Sequence, residues 1–552
     1  MTPVSFAPPR THGSASPFPH LVFLLLLCGW LFFLNLGRVP FLGKDEPKNA
    51  EAVREMMVRG DWITTTLRGE PWFDKPILYY WVALVFFHLL GPGEAAARTA
   101  SALFGTGGVL LTWWFARILF DARVALRAAI ILATALEYFW FSRTAVVDLS
   151  LTFCVTLCLV AFHRALEGER PSSTWFRVGF AALGAATLAK GPVGIVLPGL
   201  VLGSYLLAGR RFQNLRRIPW GSGVLWFLMV AAPWYVAVSL RHGLKFWNDF
   251  VVNRNIDRYL STVHHHPGPV YYYLPVLVIG LFPWGALVPF AVGRVFRQGW
   301  RVLLGDRRRE AFLFLWILMP LLFFSFAGSK LPSYLLPCFP ALSILIAESW
   351  DTLMGGAVRG GGRTSPNPWA LGFLLVLFPV LAEGIRRWCQ IEAPEQLPSQ
   401  WPLALALLGT GLGLVAVCLM RRYRLLFAVC AAGTVLSLTA LVVFSLGNVR
   451  ETASLTRIAR DSVRLSREGA TVVAYRNFHN GLFYYTEDRI PWVKRRADLD
   501  RLLVQKGTVF CLLEEDGLGE LVSDTTLVVD VVGREYKVTL ARVSRRQKDG
   551  TG

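Results

Sequence analysis

The sequence predicts a polytopic α-helical membrane protein that ends in a small α/β domain. Hydrophobic residues make up 54% of the 552 residues and charged residues only 17%, a balance typical of membrane proteins. The apolar residues fall in repeated runs of about twenty, the length of a helix that crosses a bilayer. The net charge of +20 comes mostly from short arginine clusters between these runs. Such clusters are typical of cytoplasmic loops, so we expect no nucleic-acid partner.

The first apolar run, at about 19–36, is followed by a polar segment that is dense in charge. No small-residue cleavage site follows the run, so we predict an uncleaved first span with a cytoplasmic N-terminus. The polar segment, residues 43–76, holds acidic and basic residues in nearly equal number. Because the first span starts in the cytoplasm, this segment lies on the outer side of the membrane. We predict that it forms one wall of an active site.

The next apolar run, residues 77–90, is short for a crossing. It falls below the roughly 17 residues that a transmembrane helix needs. If it crossed, Arg117, Arg123 and Arg127 would lie outside, against the usual preference of arginine for the cytoplasmic side. We therefore predict a helix at the outer interface, and the first outer element becomes residues 38–96.

The remaining apolar runs alternate so that every arginine cluster falls on the cytoplasmic side. The predicted spans lie at about 97–119, 124–141, 149–166, 175–189, 193–208, 221–240, 271–293, 311–327, 332–350, 369–387, 402–420 and 425–446. Together with the first run they make about thirteen crossings. The transmembrane domain is thus residues 1–446, and the C-terminus lies outside.

Beyond residue 446 the sequence alternates between helix and strand patterns. LTRIARDSVRLSREG and LDRLLVQKG are predicted as helices, and TVVAY, TVFCLLEE, TLVVDVV and YKVTLARV as strands. Residues 447–552 are therefore predicted to form a small α/β domain outside the membrane. The domain has no glycine-rich phosphate loop, so we expect it to support the site or to dock an acceptor.

Polar residues from distant parts of the chain fall on the outer side in this arrangement. They are Asp45, Glu46, Lys48, Asp74, Lys75, Asp148, Lys190, Arg254, Arg258, His264, His265, His266, Lys330 and Tyr334. Carboxylates beside basic residues suit a substrate that carries a phosphate, because the bases hold it and the acids move protons or bind a metal. Taken singly, the acids also suit helix N-termini, the lysines snorkelling and the histidines solvent. Their joint position on one side favours a site.

Six blocks of the sequence resemble a known family, in its order. They are DEPKNAEAVREMMVRGDWITTTLRGEPWFDKPILYYW, GEAAARTASALFG, RTAVVDLSLTF, LAKGPVGIVLPG, FPWGALVPF and SKLPSYLLPCFPAL. They resemble the bacterial aminoarabinose (lipid A) transferases and their protein O-mannosyltransferase relatives. The resemblance covers about residues 20–350 and implies an integral membrane glycosyltransferase of the GT-C fold. It also implies juxtamembrane helices in the first outer loop and a C-terminal periplasmic domain.

The resemblance implies roles for individual residues. Asp45 and Asp148 match the two outer-loop aspartates of the family, while Asp74 stands at a glutamate position that is paired with a loop histidine. Lys48 stands where relatives often place an arginine. The lysine keeps the positive charge but cannot form the bidentate hydrogen bonds of a guanidinium group. The predicted sets are catalytic Asp45, Asp148 and Glu46; donor phosphate-binding Lys48, Lys75, Lys190, Arg254, Arg258, Lys330 and Tyr334; and a divalent metal at Asp74, His265 and His266.

The function that we predict is transfer of a sugar from a polyprenyl (undecaprenyl) phosphate-linked donor. The acceptor is a lipid A-type or other envelope molecule, a glycan or a protein, at the periplasmic face of the bacterial inner membrane, and attack opposite the phosphate inverts the anomeric centre. One alternative is protein O-mannosyltransferase activity on Ser or Thr. Another is a transporter or flippase of polyprenyl-linked lipids, which would need charges at mid-span and paired discontinuous helices. The sequence indicates neither feature.

Overall fold

The computed structural model describes most of the chain. The described residues are 16–167, 172–210, 212–251, 268–297, 308–354, 366–392, 397–446, 455–476, 480–486, 489–535 and 537–546. Up to residue 446 the described structure is helical apart from a short hairpin. Beyond residue 455 it is a mixed sheet with helices.

The helices before the C-terminal sheet carry the long apolar runs of the sequence. In chain order they are α1 (Phe18–Cys28), α2 (Asp45–Arg59), α3 (Leu78–Leu90), α4 (Glu94–Leu119), α5 (Ala122–Thr134), α6 (Leu136–Ser142), α7 (Asp148–Glu167), α8 (Ser173–Lys190), α9 (Val193–Ala208), α10 (Trp220–Trp247), α11 (Tyr273–Gly280), α12 (Val288–Arg297), α13 (Arg308–Ser325), α14 (Phe339–Leu353), α15 (Pro368–Glu392), α16 (Leu397–Leu419) and α17 (Leu426–Ala440). In the described part of the chain, 7 helices are long and apolar enough to cross a membrane, or up to 9 if each of two bent pairs is one span. The prediction of a helical protein with several candidate membrane spans is confirmed, whereas the predicted number of about thirteen crossings stays a prediction.

Two of the predicted spans are broken. The axes of α5 and α6 differ by 65°, and the segments Val270–Gly280 and Trp284–Arg297 differ by 120°. The breaks contact each other, because the Leu136 amide donates to the Phe282 carbonyl at 3.2 Å. Pro283, the next residue, has no N–H with which to continue a helix. Each of the predicted spans 124–141 and 271–293 thus contains two helices, and the prediction of no paired discontinuous helices is wrong.

The short apolar run after the first polar segment forms helix α3, as predicted. Its 13 residues span about 20 Å at 1.5 Å per residue, which is less than the bilayer core of about 30 Å. The helix packs against α2 and α4 through buried tyrosines. The Tyr79 hydroxyl donates to the Ala97 carbonyl at 2.9 Å, and the Tyr80 hydroxyl donates to Asn49 Oδ1 at 3.0 Å. The first outer segment is thereby folded into a compact unit.

The C-terminal region forms a 5-stranded sheet. Its elements are α18 (Thr456–Arg467), β3 (Val472–Tyr475), α19 (Asn480–Thr486), β4 (Trp492–Val493), α20 (Arg496–Lys506), β5 (Thr508–Leu513), α21 (Glu515–Ser523), β6 (Leu527–Glu535) and β7 (Val538–Arg545); β1 (Thr66–Leu67) and β2 (Glu70–Pro71) form the outer-loop hairpin. The strand order is β4-β3-β5-β7-β6, parallel from β4 to β5 and antiparallel beyond it. The four predicted strands are present, whereas α19, β4 and α21 were not predicted.

The sheet is covered on both faces. Alternate residues of β3 point to opposite sides, so Val472 and Ala474 pack in one apolar cluster and Val473 and Tyr475 in another. Helices α18 and α19 contribute to the first cluster, and α20 and α21 to the second. Because both faces are covered in this way, β3 is apolar along its whole length, as parallel strands of α/β domains are.

Candidate functional site

A partly buried ion pair joins the first residue of α7 to the last residue of α8. Lys190 Nζ lies 2.6 Å from Asp148 Oδ1, and the two side chains are 15% and 13% exposed. Each charge is favoured by its own helix terminus, since the acid stands at an N-terminus and the base at a C-terminus. Lys190 Nζ also lies 4.8 Å from the ring centroid of Tyr334. Three of the predicted site residues, from three separate segments, therefore lie together.

A second charged cluster connects the start of α2 with the segment that precedes α3. Lys48 Nζ lies 3.1 Å from Asp45 Oδ1 and 4.0 Å from Asp74 Oδ2. The same ammonium group lies 5.2 Å from the Trp72 ring centroid. Lys75 Nζ lies 3.5 Å from Asp74 Oδ1. The side chain of Asp45 is 71% exposed and that of Asp74 only 11%, so Asp45 is the carboxylate of this cluster that solvent reaches.

Glu46, the neighbour of Asp45, faces the protein interior. Arg98 donates to both of its oxygens at 2.8 and 2.9 Å, and the amides of Leu42 and Ala145 donate to them at 2.9 and 2.8 Å. Arg98 also donates to three backbone carbonyls within residues 36–40. The pair therefore ties the chain before α2 to α4 and to the loop before α7. Arg98 was not predicted, although a buried arginine near the end of an apolar span is a signal of a functional or structural role.

Lys330 is placed differently from the other predicted phosphate-binding residues. It is 7% exposed, and its ammonium group donates to the Ala327 carbonyl at 2.7 Å. Its aliphatic stem packs beside Gly268, where a Cβ would lie 3.0 Å from the lysine Cδ. This hydrogen bond holds the turn between α13 and the segment of Tyr334.

The remaining predicted residues lie outside the described structure. They are Arg254, Arg258, His264, His265 and His266. Of the predicted metal ligands only Asp74 is described, and the ammonium groups of Lys48 and Lys75 lie close to its carboxylate. Within the ranges that the structure describes, no group of three or more His, Cys, Asp or Glu could hold a metal. Asp74 beside two ammonium groups does not by itself fit a divalent metal. The proposed reaction therefore includes no step that uses a metal.

The C-terminal sheet region contacts the segment of residues 38–96 through α19. The Tyr485 hydroxyl accepts a hydrogen bond from the Phe41 amide at 2.8 Å and donates one to Glu94 Oε1 at 2.8 Å. Burial, and then the charge of Glu94, raise the pKa of the Tyr485 hydroxyl. The hydroxyl therefore remains a donor at neutral pH.

A second contact runs through the outer-loop hairpin. Arg68 and Gly69 form its two-residue turn, with φ of +63° and +74°. The carboxylate of Glu55 in α2 accepts from both turn amides, at 2.5 and 3.1 Å. The Arg68 guanidinium then lies 3.4 Å from the Phe483 ring centroid and 4.3 Å from that of Trp492. Glu55 of α2 thus holds the hairpin turn, and Arg68 of that turn contacts the sheet region.

Comparison with known proteins agrees with this architecture. Residues 74–236 match the family model described as dolichyl-phosphate-mannose-protein mannosyltransferase. The structure superimposes on the crystal structure of ArnT from Cupriavidus metallidurans bound to undecaprenyl phosphate with a TM-score of 0.77 and 25% sequence identity, over 96% of this chain and 98% of that one. The chain therefore has the GT-C fold of integral membrane glycosyltransferases.

Two relatives by sequence are similar to this chain over different shares of their length. The undecaprenyl phosphate-α-4-amino-4-deoxy-L-arabinose arabinosyl transferase of Pseudomonas aeruginosa strain UCBPP-PA14 is 32% identical over 73% of this chain and 71% of its own length. The protein of the same name from Pectobacterium carotovorum is 35% identical over 61% of this chain, but this match spans only 60% of its length. The chain belongs to the family of undecaprenyl phosphate-aminoarabinose arabinosyl transferases. The resemblance found in the sequence blocks is confirmed.

Proposed function

We propose that this chain transfers 4-amino-4-deoxy-L-arabinose from undecaprenyl phosphate to a lipid A-type acceptor at the periplasmic face of the inner membrane. The observation that carries the proposal is the Asp148–Lys190–Tyr334 group. It places a partly buried ammonium group beside an aromatic ring at the ends of helices. A phosphate headgroup whose lipid tail lies in the bilayer meets that ammonium group at the membrane surface. The names of the relatives supply the sugar and the lipid.

In the proposed reaction, the bond between the anomeric carbon and the phosphate oxygen breaks and a bond to an acceptor oxygen forms. Negative charge grows on the departing lipid phosphate, and cationic side chains stabilise it. We assign that role to Lys190, Lys48 and Lys75. Tyr334, Lys330, Arg254 and Arg258 remain candidates for the same phosphate.

The acids divide into different roles. The Asp45 carboxylate is exposed, so an acceptor molecule can reach it. We therefore assign Asp45 as the base or acceptor-orienting group. Asp148 holds the Lys190 ammonium group in place at 2.6 Å. Glu46 accepts four hydrogen bonds, so we assign it a structural role in place of the catalytic one that the sequence predicted. A metal at Asp74 with His265 or His266 stays a hypothesis.

We further propose thirteen crossings, with the domain of residues 447–552 in the periplasm. The 7 long helices and the two bent pairs make 9 crossings, and the shorter apolar helices Phe18–Phe33 and Val193–Ala208 add two more. Helices α8 and α13, which cover the predicted spans at 175–189 and 311–327, complete the thirteen. The arginine clusters then all face the cytoplasm. Alkaline phosphatase fused after residue 446 should be active, and a cytoplasmic-type result there would overturn the arrangement.

Transfer is tested with the purified full-length chain in detergent, the undecaprenyl phosphate-linked amino sugar and lipid A. Mass spectrometry should show an amino-pentose on a lipid A phosphate. Transfer to protein alone would favour the mannosyltransferase alternative, which the match over residues 74–236 supports. Broken helices are common in transporters, and the sequence had indicated none. The two breaks found here therefore favour the transporter alternative more than the sequence did. A transporter, however, makes no new glycosidic bond in detergent, so the absence of any transferred product would overturn the proposed function.

A further inference from the structure

Glu137 is a buried carboxylate to which the proposed reaction gives no role. It lies in the first turn of α6 and is 8% exposed. Neither of its oxygens has a hydrogen-bond partner among the residues that the structure describes. Buried carboxylates are normally paired or hydrogen-bonded, because leaving one bare is costly. A partner of positive charge would relieve that cost.

The two helix breaks position this side chain. Helix α6 begins directly after the break at Ala135, and Glu137 is its second residue. Opposite it is Gly280, the last residue of α11, which precedes the second break. A methyl group on Gly280 would overlap Glu137 Oε2. The carboxylate therefore lies against bare backbone, in space that only a glycine leaves open.

Glu137 belongs to the neighbourhood of the Asp148–Lys190–Tyr334 group. Helix α6 packs against α7, which begins with Asp148, and against the segment Pro332–Cys338, which contains Tyr334. The charged group thus has a neighbouring buried acid that the proposed reaction does not use.

We propose that Glu137 binds the ammonium group of the donor's amino sugar. This inference rests on the proposed function, because only an amino sugar brings that cation to the site. A carboxylate in a poorly solvated position forms a strong charge-assisted hydrogen bond with an ammonium group. A sugar with a hydroxyl at the same carbon would leave the carboxylate unpaired, so the contact selects the amino sugar over its neutral analogues. Glu137 takes no part in bond making or breaking.

The test separates binding of the amine from binding of the phosphate. Glu137→Gln keeps the size of the side chain and removes its charge. In steady-state assays of the purified full-length protein, KM for the undecaprenyl phosphate-linked amino sugar should rise about 10- to 100-fold, the loss of one charged hydrogen bond. The inhibition constant of undecaprenyl phosphate, which has no amine, should stay unchanged. Gly280→Ala retains the acid but displaces it. It should also raise KM for the donor and leave the inhibition constant of undecaprenyl phosphate unchanged.

Glu310→Gln is the matched control, since Glu310 is also a buried acid, 3% exposed, on a different helix. It should change neither constant. If Glu137→Gln leaves KM for the donor unchanged, or moves both constants together, the inference is wrong while the proposed function stands. A wild-type protein that transfers no sugar at all would instead overturn the proposed function, and the inference with it.

Discussion

The Tyr485 hydroxyl accepts a hydrogen bond from the backbone amide of Phe41, 444 residues earlier in the chain, at 2.8 Å. The same hydroxyl donates to Glu94 at the start of α4. One side chain of the C-terminal region thus binds the two ends of the first outer segment, which carries Asp45 and Lys48. The sheet region therefore contacts the charged segment near both of its ends.

Tyr485→Phe should lower both stability and turnover. It leaves the Phe41 amide and the Glu94 carboxylate without this partner, at a cost of about 1–3 kcal/mol for a buried unsatisfied group. Thermal unfolding in detergent measures the first effect and kcat the second. Tyr271→Phe is the control, because Tyr271 is 68% exposed, and it should change neither. An unchanged kcat in Tyr485→Phe would show that this contact does not position the outer segment.

Asp148 and Lys190 should behave as one unit in kinetics. Asp148→Asn and Lys190→Gln should each lower kcat about 100-fold, because each leaves the departing phosphate without a correctly held cation. The double variant should be hardly worse than either single one, since residues that act together are not additive. Glu348→Gln breaks a different ion pair, with Arg294 at 2.9 Å, and should retain activity. Fully additive losses would contradict a joint role.

Asp45 and Glu46 are adjacent in sequence, but their substitutions should have opposite consequences. Asp45→Asn should abolish transfer with little change in unfolding temperature, because its side chain is 71% exposed. Glu46→Gln should destabilise the fold by about 3–5 kcal/mol, the cost of breaking a buried ion pair. Each variant serves as the control for the other in paired activity and unfolding measurements. Equal loss of stability in both would contradict this division.

Asp61 should make stability depend on pH in the acidic range. Burial acts to raise the pKa of its carboxyl, but hydrogen bonds from the amides of Ile63 and Thr64 and from Arg241 lower it overall. An acid whose folded pKa is lowered contributes stability above its unfolded pKa and loses it as pH falls through the folded pKa. Asp61→Asn should therefore destabilise the protein at pH 7, and the difference from wild type should shrink on acidification. A difference that is constant with pH would contradict it.

The secondary structure was largely predictable because hydropathy is a local property. The apolar runs, the short α3 and the four C-terminal strands all follow from composition and period along the chain. The first helix break had no glycine or proline at Ala135 to indicate it. The second had the visible signal of Pro283, but the sequence could not show that the neighbouring Phe282 carbonyl accepts a hydrogen bond from the Leu136 amide at the first break.

Some of the predicted site residues, Asp148, Lys190 and Tyr334, lie together in the structure, but their individual roles could not be predicted from the sequence. Asp148 and Lys190 stand at the ends of predicted spans, and both were identified. Glu46 could not be distinguished from Asp45 by pattern, since neighbouring residues on a helix point about 100° apart and the burying partner, Arg98, is far away in sequence. Glu137 was missed although an acid within an apolar segment is itself a signal.

The sequence by itself determined that this protein is a helical membrane protein of the arabinosyl transferase family with charged residues grouped at helix ends. The free energy of transferring apolar segments into a bilayer depends on local composition, so it can be read along the chain. Only the tertiary structure decided which carboxylate is exposed, which is paired and which is left bare. Those states depend on the distance to partners such as Arg98 and Lys190, which the fold brings from other helices.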